Sequence, residues 1–218
     1  MNLDTSIHFN DWLFLLQGAG VTLLLCFSSM FFGIFIGFLF GLMRASKNSV
    51  LNYISGAYVY IIRGTPLLMQ LFLVFYGMPL LLGINIPPYI TALTGLSLYA
   101  GAYLTEIVKA GLLSVDMGQK EAAKALGLNF WQEFRYVVFP QALKVIIPPA
   151  LGFFIALIKD SSLVSIIGYI ELTRSSRLVI ARTFQPFTIY FGAAAIYFVI
   201  CYGLSAISRH CFEGRLSN

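Results

Sequence analysis

Charge is what this sequence has least of. Asp, Glu, Lys and Arg make up 11% of its 218 residues, while 59% are hydrophobic and the mean hydropathy is +0.84. A soluble domain carries roughly twice that charge fraction, so a water-soluble fold is excluded and an all-α integral membrane chain is expected. Histidine is almost absent: His8 and His210 stand near opposite ends, outside the apolar runs. Neither a His-dependent triad nor a metal site assembles from them, so an intramembrane enzyme is set aside and no catalytic residue is assigned. Cys26, Cys201 and Cys211 share no metal-ligand spacing, and the first two fall in apolar runs where cysteine serves as a small packing residue. Long polar linkers, low-complexity tracts and short repeats are missing too, so residues 1–218 are read as one domain. No Lys or Arg precedes Arg44; with no basic n-region, no cleavable signal is expected and the N-terminus is predicted outside the cytoplasm.

What the chain does have is apolar runs of membrane-spanning length. Between Asp11 and Arg44 lie 32 uncharged residues, enough for one tilted helix with an interfacial approach. Gly33, Gly37 and Gly41 recur every four residues, a small-residue stripe that lets another helix come close. Arg44 and Lys47 mark a turn, and the tyrosine-rich stretch 48–62 reads as an interfacial elbow or the first part of a broken span. Arg63-Gly64-Thr65-Pro66 interrupts the run, and an arginine there is costly unless paired or near headgroups. The 42 uncharged residues from Gly64 to Thr105 are too many for one crossing. Gly83-Ile84-Asn85-Ile86-Pro87-Pro88 divides them, giving a second span at about 67–82 and a third at about 89–113. A fourth run, Val145 to Ile158, meets Lys159-Asp160 and resumes over 163–170. An apolar segment broken by charge marks either a structural ion pair or a substrate site. Glu171 to Arg182 is expected to be a polar loop, and Thr183 to Ser208 the last span.

The stretch Ser114 to Lys144 concentrates seven charged residues. Its local signals predict two short helices. Gly118 opens the first, Gly127 ends it in a left-handed conformation, Asn129 with Gln132 caps the second, and Pro140 stops it. Taken alone, the stretch is equally a solvated loop or a docking element. Five spans with the N-terminus outside place ten of the 14 Lys and Arg residues on cytoplasmic segments, three on an outer loop and Lys159 within a span. That asymmetry supports an N-out, C-in orientation with the 114–144 stretch in the cytoplasm.

The motifs resemble one family. Glu121-Ala122-Ala123, Gly127, Val137, Phe139 and Pro140 fit the EAA signature of binding-protein-dependent importers, with Phe139 where leucine is more usual. Arg63-Gly64-Thr65-Pro66-Leu67-Leu68 with Gln70-Leu71-Phe72, then Glu106-Ile107, Ala110-Gly111, Pro148-Pro149 and Lys159-Asp160-Ser161-Ser162-Leu163 follow in family order. Over nearly its whole length the chain resembles the membrane (permease) subunit of ATP-binding-cassette importers for polar amino acids, of the histidine/glutamine/cystine type. The resemblance implies a type I importer transmembrane domain in the bacterial cytoplasmic (inner) membrane. Its coupling element would be Glu121, Ala122, Ala123, Gly127 and Pro140. Its partners would be a dimer of ATPase subunits, an extracytoplasmic amino-acid-binding protein and a second permease subunit, identical or not; no nucleic acid is implied. The chain has no GxxxxGK[ST] loop, so it carries no cofactor of its own and ATP with Mg would be bound by the ATPase partner.

The resemblance also points to a substrate region around the fourth span. Asp160 is the candidate for an α-ammonium group and Ser161 for a hydrogen bond. After Pro148-Pro149 the family usually carries a polar pair, whereas this chain has Gly152-Phe153. Phe153 lies two helical turns before Asp160 and offers an apolar or cation–π surface, which favours a polar or neutral amino acid over a strictly basic one. Met69 and Tyr103 are further pocket candidates whose simpler role is packing. A stand-alone channel or secondary carrier is the competing reading; it would need a carboxylate relay, for which only Asp160 and Glu106 qualify, the latter with Lys109 one turn on.

Overall fold

The computed structural model describes residues 5–216, with side chains through His210; Cys211 and Arg215 lie outside the described side chains. Every regular element among the described residues is helical. In order they are α1 (Phe9–Ala45), α2 (Ser49–Gly64), α3 (Leu67–Phe72), α4 (Met78–Leu82), α5 (Pro88–Leu113), α6 (Met117–Ala125), α7 (Phe130–Glu133), α8 (Phe139–Asp160), α9 (Leu172–Thr183) and α10 (Pro186–Leu216). Two single π turns, Leu73–Gly77 and Phe134–Val138, join α3 to α4 and α7 to α8; a 3₁₀ segment, Ser161–Ile167, follows α8.

Three of these stretches are long and apolar enough to cross a membrane: Phe9–Ala45, Phe130–Ile167 and Pro186–His210. The pair Ser49–Gly64 and Leu67–Leu82 reaches that standard as one span broken at Thr65–Pro66, both of which are extended. At 26 residues, α5 is about 39 Å long, and it carries Thr, Ser and Tyr residues together with the charged Glu106 and Lys109. Large apolar side chains stay exposed along α1 and α10, among them Phe35, Phe187 and Phe191 at 76%, 83% and 69%. Such a surface is a liability in water and ordinary against lipid.

The chain divides into two compact units. Residues 5–29, 66–96 and 154–216 form one; Met30–Thr65 with Ser97–Phe153 form the other. The first unit is built on Leu15 and Ala19 of α1, Leu172 and Val179 of α9, and Ile189 and Ala193 of α10. In the second, Val108 and Leu112 of α5 pack with Val138, Ala142 and Ile146. Here the glycine stripe of α1 meets α5: a Cβ added at Gly33, Gly37 or Gly41 would stand closer than 3.0 Å to Ala100, Leu104 or Val108. The predicted close approach is therefore real, and α5 is the helix that makes it.

Several expectations need correction. Pro140 does not stop a helix. Phe139 N–H already reaches back five residues to the Phe134 carbonyl, so the ladder has shifted before the proline ring arrives. Gln141 Nε2 then donates to the Val137 carbonyl at 3.0 Å. The second helix of the 114–144 stretch consequently runs into α8 rather than ending as a short separate piece. Residues 163–170 do not resume an α-helical span; 163–167 lie in the 3₁₀ segment, the left-handed Gly168 terminates it, and 169–170 are irregular. Glu171 to Arg182 is not a loop but the α9 helix with its cap.

Candidate functional site

The two predicted functional regions are built locally, each by a break in helical regularity. In the 114–144 stretch, Asp116 caps α6 by accepting the Gly118 N–H at 2.7 Å, so the helix begins at Met117, one residue before the predicted glycine. Its end is a Schellman motif. Gly127 sits at φ +76°, its N–H donates to the Lys124 carbonyl at 2.9 Å, and Leu128 N–H donates to the Ala123 carbonyl at 3.1 Å. Asn129 and Gln132 complete the capping box reciprocally at 3.0 and 2.9 Å. Two helix ends are thus satisfied within five residues, which fixes a rigid helix–glycine–helix corner. Glu121, Ala122 and Gly127 are exposed on it. Ala123 is 3% exposed, packed within the chain, so a close approach from outside falls on Ala122. Leu126, Phe130 and Trp131 add apolar surface at 81%, 71% and 75% exposure. Pro140 is exposed at the second position of α8.

The substrate candidates fall in both units and are described unit by unit. Asp160 ends α8, half-buried, and Ser161 opens the 3₁₀ segment, fully buried. The Ser161 hydroxyl donates to the Ile158 carbonyl at 2.7 Å, which leaves only its oxygen lone pairs to offer. The short helix α3, with Met69 half exposed, lies beside the same 3₁₀ segment. In the other unit, Phe153 stacks on Tyr103, with ring centroids 4.9 Å apart and planes 17° from parallel. Tyr99 joins them, 4.8 Å from Tyr103. Tyr103 is therefore part of an aromatic cluster rather than an isolated packing residue.

Two residues named in the sequence have contacts that it does not reveal. The guanidinium of Arg63 lies 4.7 Å from the Tyr103 ring centroid, which supplies a partner for a charge that the sequence flagged only as costly. The partner stands 40 positions away, so no local pattern reveals it. The second is Glu171, fully buried at the start of α9. Its carboxylate accepts the N–H groups of Thr173 and Arg174 at 2.9 and 2.8 Å and the Tyr197 hydroxyl at 3.0 Å. Burial pushes its pKa above the ordinary carboxylate value, and the backbone N–H groups oppose that rise. Glutamate is an uncommon N-cap, so no helix start is legible at this position from residue types alone.

No cluster of three or more His, Cys, Asp or Glu side chains suited to a metal occurs among the described residues. The fold and the 114–144 corner define an all-helical membrane protein with a rigid exposed glycine-jointed loop. The chain belongs to the family of binding-protein-dependent transport system inner membrane components, which matches residues 29–216. It is 41% identical over 206 residues to the L-cystine transport system permease protein TcyB of Bacillus subtilis (strain 168), covering 94% of this chain and 87% of that one. A probable amino-acid ABC transporter permease protein of the same organism, YckA, is 35% identical over 99% of this chain and 94% of its own length. The glutamine transport system permease protein GlnP of Escherichia coli (strain K12) is 35% identical over 89% and 90%. The crystal structure of an amino acid ABC transporter with histidines superposes with a TM-score of 0.87 at 34% identity, covering 95% of this chain and 99% of that one. The MetNI methionine ABC transporter, at 22% identity and a TM-score of 0.82, shares the fold. The family read from the ordered motifs is thereby borne out.

Proposed function

We propose that this chain is the transmembrane subunit of an ATP-driven importer that moves a polar amino acid into the cytoplasm by alternating access. The observation that carries the reading is the rigid corner at Gly127, with Glu121 and Ala122 exposed beside it, in a chain whose relatives are amino-acid permeases. In this reading residues 1–218 are one permease domain with five spans, N-out and C-in, in the bacterial inner membrane. The fifth span is α5. A dimer of ATPase subunits binds ATP and Mg and receives the corner in a surface groove, with Glu121 facing basic groups and Pro140 bracing the root of α8. A second permease subunit, identical or homologous, completes the pathway, and an extracytoplasmic binding protein delivers substrate.

Substrate recognition is assigned to five residues. Asp160 takes the α-ammonium group, because an unneutralised cation in a water-poor cavity is expensive. Ser161 accepts a hydrogen bond through its remaining lone pairs. Phe153 and Tyr103 supply aromatic surface and Met69 a polarisable apolar one. An aromatic ring rather than a second carboxylate at position 153 favours a neutral or polar side chain. ATP binding shifts the inward/outward equilibrium by the difference in its affinity for the two states, and it acts here through the corner.

Reconstitution into proteoliposomes with the cognate ATPase and binding protein tests this. Uptake of a labelled neutral amino acid is expected only with ATP inside and the ATPase present. Uptake that persists without the ATPase overturns the importer reading. Competition by arginine and lysine alone overturns the substrate assignment and leaves the importer standing.

A further inference from the structure

The corner between α1 and α2 forms an open pocket of about 500 Å³ that neither the coupling nor the substrate assignment uses. Arg44, Ser46, Lys47, Ser49, Tyr53 and Tyr60 are among the side chains that line it, all within one compact unit. The arginine is held in a fixed pose. Its Nε donates to Glu106 Oε1 at 3.1 Å, Nη1 to Asn52 Oδ1, and Nη2 to the Tyr60 hydroxyl at 3.3 Å. Its guanidinium also lies over the Tyr60 ring, 5.6 Å from the centroid. Glu106 is shared with Lys109 at 3.7 Å, so one carboxylate answers two cations there. Lys47 is exposed at the rim. The corner therefore carries more positive than negative charge, with hydroxyl donors from Ser46 and Ser49.

The face of α2 that continues from this pocket is apolar and aromatic. Val50, Tyr53, Ile54, Tyr60 and Ile61 are 65%, 77%, 49%, 71% and 63% exposed and recur at helical spacing. A half-apolar helix of this kind lies at a membrane interface, where tyrosines sit at headgroup depth. A cationic, hydroxyl-lined pocket at one end of such a face matches a ligand with an anionic head and hydrocarbon tails.

We propose that this corner is a binding site for the headgroup of an anionic phospholipid. Its phosphate is held by Lys47, Arg44 and the serine hydroxyls, and its acyl chains run along the exposed face of α2. The site anchors the elbow helix to the bilayer. The proposal does not draw on the transport reading, since it needs no ATPase, binding protein or amino acid.

Native mass spectrometry of the full chain in detergent, exchanged into phosphatidylglycerol or phosphatidylcholine, tests it. The wild-type chain is expected to retain phosphatidylglycerol about fivefold better than phosphatidylcholine, the factor that corresponds to about 1 kcal/mol for a basic residue near an anionic headgroup. Lys47→Glu, a change at an exposed side chain, is expected to abolish that preference, and Lys47→Arg to keep it. Millimolar inorganic phosphate is expected to leave the bound lipid in place. Equal preference in wild type and Lys47→Glu overturns the proposal. So does displacement of the lipid by phosphate, which would make the pocket a site for soluble phosphate.

Discussion

The guanidinium of Arg63 and the ring of Tyr103 form a cation–π contact at 4.7 Å, and the same ring stacks on Phe153 at 4.9 Å. One tyrosine thus links a charge at the end of α2 to Phe153 of α8, the aromatic candidate for the substrate region. A stacked pair contributes about 0.5–1.5 kcal/mol beyond its buried area, and a cation over a ring about 0.5–1 kcal/mol at an exposed site. Removing the ring from Tyr103→Ala is therefore expected to raise the uptake KM about tenfold, with kcat less affected. Tyr103→Phe keeps both contacts and should behave as wild type. An unchanged KM in Tyr103→Ala would remove the aromatic cluster from the substrate assignment.

The second prediction concerns Gly127. At φ +76° a β-carbon costs about 1–2 kcal/mol. Proline is worse there: its φ is fixed near −65°, and it lacks the N–H that reaches the Lys124 carbonyl. Gly127→Pro and Glu121→Arg should insert into the membrane at normal levels yet lose substrate-stimulated ATPase activity in the reconstituted complex. Gly127→Asn should retain most of it, because asparagine visits the left-handed region with little strain. Normal coupling in Gly127→Pro would refute the docking role.

How much of this was readable follows from how local each feature is. The cap at Asn129 and Gln132 and the left-handed Gly127 are written within a few residues, and both are present as read. The glycine stripe of α1 announces a close helix contact, but nothing in it names α5. Pro140 misled because the rule that proline ends a helix yields to a π turn, and a shift of one residue in the hydrogen-bond ladder leaves no trace in composition. Of the functional candidates, Asp160 stands at a charged interruption that coincides with a true change from α to 3₁₀ geometry, whereas Ser161 is pointed to by the family resemblance. Arg63 and Glu171 were missed as pair partners because their contacts join residues 40 and 26 positions apart.

The third prediction uses two glycines of α1 as each other's control. A Cβ at Gly37 would stand closer than 3.0 Å to the Cβ of Leu104, whereas a Cβ at Gly20 meets nothing within 4 Å. Overpacking a close interface costs about 1–3 kcal/mol. Gly37→Ala is expected to lower the Tm of the chain in detergent by several degrees, while Gly20→Ala leaves it unchanged or raises it slightly through better helix propensity. Equal shifts for the two variants would show that the α1–α5 approach has slack.

The last prediction rests on Glu171. This carboxylate is fully buried, caps α9 through two backbone N–H groups, and ties the helix to Tyr197 of α10 and, at 3.4 Å, to Thr22 of α1. Alanine would leave those donors unanswered, at a cost of about 3 kcal/mol from the lost cap and the buried hydrogen bonds together. Glutamine keeps an acceptor and most of the shape, so its loss should be smaller. The pH dependence has a definite sign. Burial raises the folded-state pKa above the model-peptide value of 4.5, so the folded chain holds its proton where the unfolded chain has released it. Glu171 therefore contributes most to stability at pH below 4.5, and that contribution declines as pH rises, levelling off above the folded-state pKa. Subtracting the Tm of Glu171→Gln from that of wild type across pH 4 to 8 isolates this group from the other carboxylates. The difference is expected to shrink with rising pH; a difference that grows would mean that the backbone N–H groups outweigh burial and that the carboxylate is ionised in the folded chain.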